Sequence, residues 1–337
     1  MSCETALEDL LKDKKVLFIS TKNIDYLRNT QEIEIIQNHS ILLDIIAFSD
    51  KSYLKRILKV YLKCLKILVS KKYDVVFIGF APQLLLPFLG LFSKKRTLII
   101  DFFISVYDTL VFDRKKIKEK SIISKIIHSI DKKTIQKSDF VIADTKAHQK
   151  YFIEEFGLSP EKSQVLYLKA DEKIYYPREQ IKPESLKNNF IVLYFGSILP
   201  LQGVDIVLKA ADILKESGNI YFYIIGPLSK VQSNAYLTLS NAEFIPWLSQ
   251  EKLAEKISQA DLCLAGHFCD TIEKARRTIP GKAYIYRAMH KPMILGEGPA
   301  NHELFDESEI DGIYFSEMGN PEKLAELIEK ISESRLN

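Results

Sequence analysis

Short runs of Val, Ile, Leu, Phe and Tyr alternate along the chain with longer stretches whose apolar positions recur every three to four residues. The first pattern predicts strands buried on both faces, and the second predicts the helices that cover them. Strand-type runs fall at "KVLFIS" (15–20), "ILLDIIAF" (41–48), "DVVFIG" (74–79), "TLIIDF" (97–102), "FVIADT" (140–145) and "SQVLYL" (163–168). A second series follows at "FIVLYFG" (190–196), "IYFYIIG" (220–226), "AEFIPW" (242–247), "DLCLAG" (261–266), "PMILGE" (292–297) and "GIYFS" (312–316). Helical spacing fills most of the gaps, for example at 205–217, 249–259 and 321–333. Continuous apolar strands separated by helices belong to parallel sheets, so the chain reads as α/β, with two doubly wound Rossmann-like domains facing a central cleft.

The polar segment "EKIYYPREQIKPESLKNN" (172–189) separates the two series and sets the expected domains at 1–178 and 179–337. A length of 337 residues suits two cores of ordinary size. Charge divides at the same place. The net value is only +3, yet residues 1–187 carry 33 Lys and Arg against 24 Asp and Glu, while residues 188–337 carry 14 against 20. A basic first half suits an anionic membrane surface or a phosphorylated acceptor, and no nucleic-acid motif accompanies it.

The longest apolar run, "DVVFIGFAPQLLLPFLGLF" (74–92), is broken by prolines and glycines and predicts strand, turn and helix rather than a membrane span. The start, "MSCETALEDLLKDKK", has acids ahead of any apolar run, unlike a secretory signal, and the four cysteines lack metal-type spacing. The expected setting is therefore the reducing cytoplasm. The stretch "YLKRILKVYLKCLKILVSKK" (53–72) sets Lys55, Lys59, Lys63 and Lys66 opposite Ile57, Val60, Tyr61, Leu65 and Leu68. It fits either a helix packed on the sheet with a solvated basic face or one that docks on an anionic bilayer.

Ligands of doubly wound sheets bind beyond the carboxyl ends of the strands. One such end is the loop "YFGSILPLQGVD" (194–205), where Gly196 and Gly203 permit close backbone approach and the following helix aims its first amides at the loop. It is either a phosphate-binding turn or a plain strand-to-helix connection, and it contains no cation. The segment "EKARRTIPGKAYIYRAMHKP" offers what that loop lacks: Arg276, Arg277 and Lys282 cluster at a helix start opened by Pro280-Gly281. No His, Cys, Asp and Glu grouping has metal-ligand spacing, so neither a metal nor a cofactor is expected.

Taken in order, "YFGSILPLQGVDIVLKAADIL", "YFYIIGPL", "IPWLSQEKLAEKISQADLCLAG" and "KARRTIPGKAYIYRAMHKPMILGEGPANHELF" resemble the donor-sugar domain of GT-B glycosyltransferases. The resemblance is to bacterial retaining family-4 enzymes, glycosyltransferase group 1, of surface polysaccharide synthesis. In the first half, "IIDFFISVYDTLVFDRKK" and "SDFVIADTKAHQKYFIEEFGL" look like a branch of that family. The resemblance implies transfer of a sugar from a nucleotide diphosphate donor, with a UDP-sugar the first expectation, to a glycan or lipid-linked saccharide. It implies retention of configuration, no metal, and work on the inner face of a membrane.

Residue by residue, the resemblance places Arg277 and Lys282 on the donor diphosphate, together with Gly196, Ser197, Gln202 and Gly203 of the opening loop. Gly226 and Pro227 fall where relatives contact the nucleotide, Trp247 near the base, and Glu297, Gly298 and Ala300 near the sugar or phosphate. Asp101 occupies the strand end where many relatives carry a catalytic-side histidine. Tyr107, Asp108, Arg114 and Asp144 are the expected acceptor contacts. Three positions depart from the family pattern: Ser197 and Gln202 stand where relatives have Arg and Lys, and Ile285 where many have a ribose-binding Glu. These departures motivate a rival expectation, a catalytically silent glycosyltransferase-like protein that binds a glycan or scaffolds a partner.

Overall fold

Residues 6–50, 52–67, 72–92, 96–197 and 199–336 are described by a computed structural model of the chain. The chain forms two units, Met1–Lys169 and Ala170–Asn337. In the first, strands β1 (Lys15–Ser20), β2 (Leu42–Ile46), β3 (Val75–Phe80), β4 (Thr97–Asp101), β5 (Phe140–Ala143) and β6 (Ser163–Val165) form a parallel sheet in the order β2-β1-β3-β4-β5-β6. The apolar runs are continuous because both faces are covered. Val16, Phe18, Val75 and Phe77 meet Leu7 and Leu11 of α1 (Ala6–Leu11) and Ile36 of α2 (Leu27–His39). The alternate residues Leu17, Ile19, Val76 and Ile78 meet the other layer. That layer is made by α3 (Tyr53–Ile67), α4 (Leu86–Phe92), α5 (Ile122–Gln136) and α6 (Lys146–Phe156).

The second unit repeats the plan. Strands β7 (Phe190–Phe195), β8 (Ile220–Ile225), β9 (Ala242–Ile245), β10 (Leu262–Gly266), β11 (Met293–Gly296) and β12 (Ile313–Ser316) run parallel in the order β12-β11-β10-β7-β8-β9. Helices α7 (Val204–Ile213), α8 (Lys230–Tyr236), α9 (Gln250–Gln259), α10 (Glu273–Arg277), α11 (Gly281–Ala288) and α12 (Pro321–Leu336) connect and follow them. Val207 and Leu208 of α7 and Leu324 and Ile328 of α12 share a core with Val192, Tyr194, Phe222 and Ile294.

Each expected strand run contains a strand, trimmed where polar residues or glycine take over. At β5, for instance, Asp144 and Thr145 leave the sheet, and Thr145 instead caps α6 by accepting the His148 amide at 3.0 Å. The apolar run 74–92 divides into β3, a short turn of 3-10 helix (Pro82–Leu85) and α4. Among the described residues, no helix is long and apolar enough to cross a membrane. In α3, Val60 and Cys64 are buried as the spacing requires, whereas Leu65, expected on the packed face, is exposed; Leu68 lies outside the described residues.

Strand order sets where each unit can hold a ligand. The order reverses between β1 and β3 in the first unit and between β7 and β10 in the second, and a crevice opens at the carboxyl ends of such a pair. In the second unit those ends are Gly196 and Gly266-His267.

Candidate active site

The β7 end is built for close approach. Gly196 has φ 154° and donates its amide to Ile225 O at 2.9 Å. A Cβ on Gly226 would lie 2.1 Å from Gly196 O, so the loop after β8 approaches the loop after β7 this closely only because residue 226 has no side chain, while a Cβ on Gly196 would lie 2.5 Å from Gln202 Oε1. The loop then reaches Gly203 (φ 67°), from which α7 starts, and a Cβ there would lie 2.7 Å from the Phe268 carbonyl carbon. Phe268 N donates to Gln202 O at 3.2 Å, which ties the β7 and β10 loops together at the reversal.

Lys282, in the first turn of α11, points into this junction. Its Nζ donates to Gln202 Oε1 at 3.0 Å and lies 3.9 Å from the centre of the Tyr194 ring. Tyr194 OH donates to the same Gln202 oxygen at 3.0 Å. Lys282 is 5% exposed and forms no ion pair among the described residues, so burial alone pushes its ammonium down to about 7. Its local compensation among the described residues is a neutral amide oxygen and the rings of Tyr194 and, at 5.9 Å, Phe195. An anion arriving at Gly196 would meet a cation already desolvated and aimed.

Two further groups were not singled out by their sequence context. His267, directly after β10, is buried, and its ring nitrogen Nε2 lies 3.4 Å from Thr278 Oγ1. Burial, with Lys282 and Lys274 nearby, pushes it down to about 3, so it is neutral at physiological pH. Its Nδ1 is buried with no hydrogen-bond partner among the described residues. Lys274, buried on α10, is the second cation in that neighbourhood. The carboxyl-end rule pointed to this loop; its histidine and Lys274, seven positions on, are brought to Lys282 by the fold.

The other donor-side candidates fall around different ends of the same sheet. Arg277 closes α10 and is half-buried. Arg276 O accepts the Ala300 amide at 3.2 Å, which packs the turn after β11, with Gly298 and Ala300 buried, against α10. Glu297 is exposed and pairs with His302 at 2.6 Å. Ser197 and Pro227 are exposed at their loop ends, and Ile285 is half-buried on α11. Trp247 is 76% exposed, so it is not a core residue.

In the first unit, Asp101 is buried and held by Arg28, which donates Nε to Oδ2 at 2.7 Å and a terminal nitrogen to Oδ1 at 3.1 Å. Glu32 lies 3.7 Å from the same guanidinium, and burial together with Asp101 raises its carboxyl well above the usual range. One cation facing two carboxyls balances when Glu32 keeps its proton. Asp101 is thus committed to an internal pair. Asp144 pairs with His148 at 2.7 Å; burial raises its carboxyl, and His148 and Arg28 bring it below the ordinary value. Tyr107 donates its amide to Asp131 at 2.8 Å and lines a depression of about 390 Å³ with Lys120, Lys125 and His128. Asp108 is buried one position on, and Arg114 is exposed 3.7 Å from Asp113.

Two parallel six-stranded sheets, each doubly wound with helices, are the architecture of GT-B glycosyltransferase folds. Residues 177–337 match the family described as Glycosyl transferases group 1. That match lies wholly within the second unit, the part of the chain that is similar to group 1 glycosyltransferases. Comparison with curated proteins finds no match. Among solved structures, Anabaena HepE in complex with UDP matches with a TM-score of 0.64 at 15% identity, covering 95% of this chain and 90% of that one. Sucrose-phosphate synthase from Thermosynechococcus elongatus matches with a TM-score of 0.69 at 11% identity over 96% and 90%. The lipopolysaccharide outer core galactosyltransferase WaaB, in its apo form, matches at 0.58 and 15% over 96% and 91%.

Proposed function

We propose that the chain transfers a sugar from a UDP-sugar to a glycan or lipid-linked saccharide, with retention of configuration and without a metal. The observation that carries the reading is Lys282, a buried side-chain amine with no carboxylate partner among the described residues, beside Gly196 at the strand reversal of the second unit. HepE, which has the same fold, has been solved with UDP and with UDP-glucose.

As the glycosidic C–O bond breaks, negative charge grows on the β-phosphate. Groups fixed in advance around that position lower the barrier. Lys282 exchanges Gln202 for a phosphate oxygen, and the amides of the Gly196 loop and the first turn of α11 add their partial charges. Arg277 supports the diphosphate, and His267, neutral, offers a hydrogen bond. Gly226, Pro227 and Trp247 serve the nucleoside, and Glu297, Gly298 and Ala300 the sugar. The acceptor hydroxyl forms the new bond on the face the phosphate leaves, and its proton passes to the departing phosphate. Tyr107, Asp108, Arg114 and Asp144 are assigned to the acceptor, reached on the inner face of a membrane. Asp101 acts through Arg28, as a positioning residue.

The test is titration of UDP and of a panel of UDP-, GDP-, dTDP- and CMP-sugars into the wild type and Lys282→Ala. The reading expects UDP binding that the variant loses. Equal behaviour of the two proteins would instead favour the catalytically silent alternative, for which the apolar Ile285 at the ribose position speaks.

A further inference from the structure

Helix α3 carries three stripes rather than two. Val60 and Cys64 are buried and Tyr61 half-buried, its ring 5.0 Å from that of Phe88 on the neighbouring α4. A second stripe of Leu54, Leu58, Leu62 and Leu65, spaced at helical intervals, is exposed at 78%, 61%, 54% and 55%. A third stripe of Lys55, Lys59, Lys63 and Lys66 runs beside it, also exposed. Leucines that neither the sheet nor another helix covers gain nothing from folding. A row of them beside a row of ammonium groups is the pattern of a helix lying in a lipid headgroup layer.

The surface extends beyond one helix. Helix α4 exposes Leu91, and α5, packed against α4, exposes Ile122, Ile123 and Ile126. The charge around these residues is predominantly positive. The α3 sequence contains no acid, the only acid of α5, Asp131, is buried, and the loop before α5 offers exposed Arg114, Lys115, Lys116, Lys118 and Lys120 against Glu119. Among the described residues, Lys59 is the α3 lysine that forms an ion pair, with Asp50 at 2.8 Å.

We infer that the outer face of α3, α4 and the start of α5 docks on an anionic phospholipid bilayer, its leucines and isoleucines entering the headgroup boundary and its lysines meeting lipid phosphates. A soluble acidic protein would match the charge but would not need eight large aliphatic side chains free in water. The surface deepens the inner-face location proposed above and rests on it only for its biological meaning, since vesicle binding is measured without donor or turnover.

The experiment is co-sedimentation of the full chain with vesicles of phosphatidylcholine alone and of phosphatidylcholine mixed with phosphatidylglycerol. Partition onto the anionic vesicles, weakened by salt, is expected, with little onto the neutral ones. Leu58→Ser/Leu62→Ser lowers that partition at least about tenfold, and Lys55→Gln/Lys63→Gln removes most of the preference for anionic lipid. Far-UV circular dichroism and UDP affinity stay at wild-type values in both. Failure of the wild type to bind anionic vesicles overturns the proposal, as does equal binding by the leucine variant. Loss of a dimer in that variant, without vesicle binding by the wild type, makes a second copy the occupant and overturns it too. If vesicles bind but UDP does not, the donor reading fails and the surface stands.

Discussion

Each unit buries a charge at the carboxyl end of its sheet, and the two are completed differently. In the first unit Arg28 finds Asp101 in a two-point contact, with Glu32 behind it. In the second, Lys282 finds an amide oxygen and a tyrosine ring. A buried charge closed by its own chain holds structure, and removing one partner strands the other in a medium that cannot solvate it. A buried cation left with neutral partners is poor value for stability, and its position makes sense when an anion arrives from outside.

The largest expected effect breaks the closed cluster. Arg28→Ala leaves the Asp101 carboxylate without its guanidinium and lowers the free energy of unfolding by about 3–5 kcal/mol in denaturant titration. Lys282→Met, in the same titration, leaves stability unchanged or raises it. The second effect separates the two by activity. Lys282→Ala reduces sugar transfer roughly 10²–10³-fold, about 2.7–4 kcal/mol of transition-state stabilisation, with the unfolding midpoint preserved.

The pH dependence sharpens the contrast. Lys282 sits at about 7 in the folded chain, below its ordinary value. Between those two values the unfolded chain binds the extra proton, so stability rises with pH there, and Lys282→Met removes that slope. UDP affinity moves oppositely: it is full below about 7, where the free amine is already charged, and weakens as pH rises. The smallest effect concerns the placeholder. Gln202→Leu deprives Lys282 and Tyr194 of their shared acceptor and weakens UDP binding near neutral pH by on the order of 1 kcal/mol.

The sheets were legible because burial on both faces leaves continuous apolar runs, such as those that became β1 and β7. Strand ends were less so, since the residues that leave a sheet, like Thr145, do so to make caps that apolar pattern does not encode. Gly196, Gly203 and Lys282 stood out from turn and helix-start chemistry, and the structure brings the glycine loop and the lysine together. Lys274 and His267 did not, because only the pairing of β10 beside β7 in the sheet brings them to that loop. Asp101 looked like an available strand-end carboxylate, while its partner Arg28 lies 73 positions earlier on an otherwise unremarked helix. The α3 leucines hid in a pattern that two stripes seemed to explain, until exposure separated a third.

The central claim is that Lys282 waits for the donor diphosphate. Its side-chain amine can be followed by nitrogen-15 NMR through a pH titration, free and with UDP. The account predicts a midpoint near 7 in the free protein and one well above it when UDP is bound. A midpoint that UDP leaves in place would contradict it.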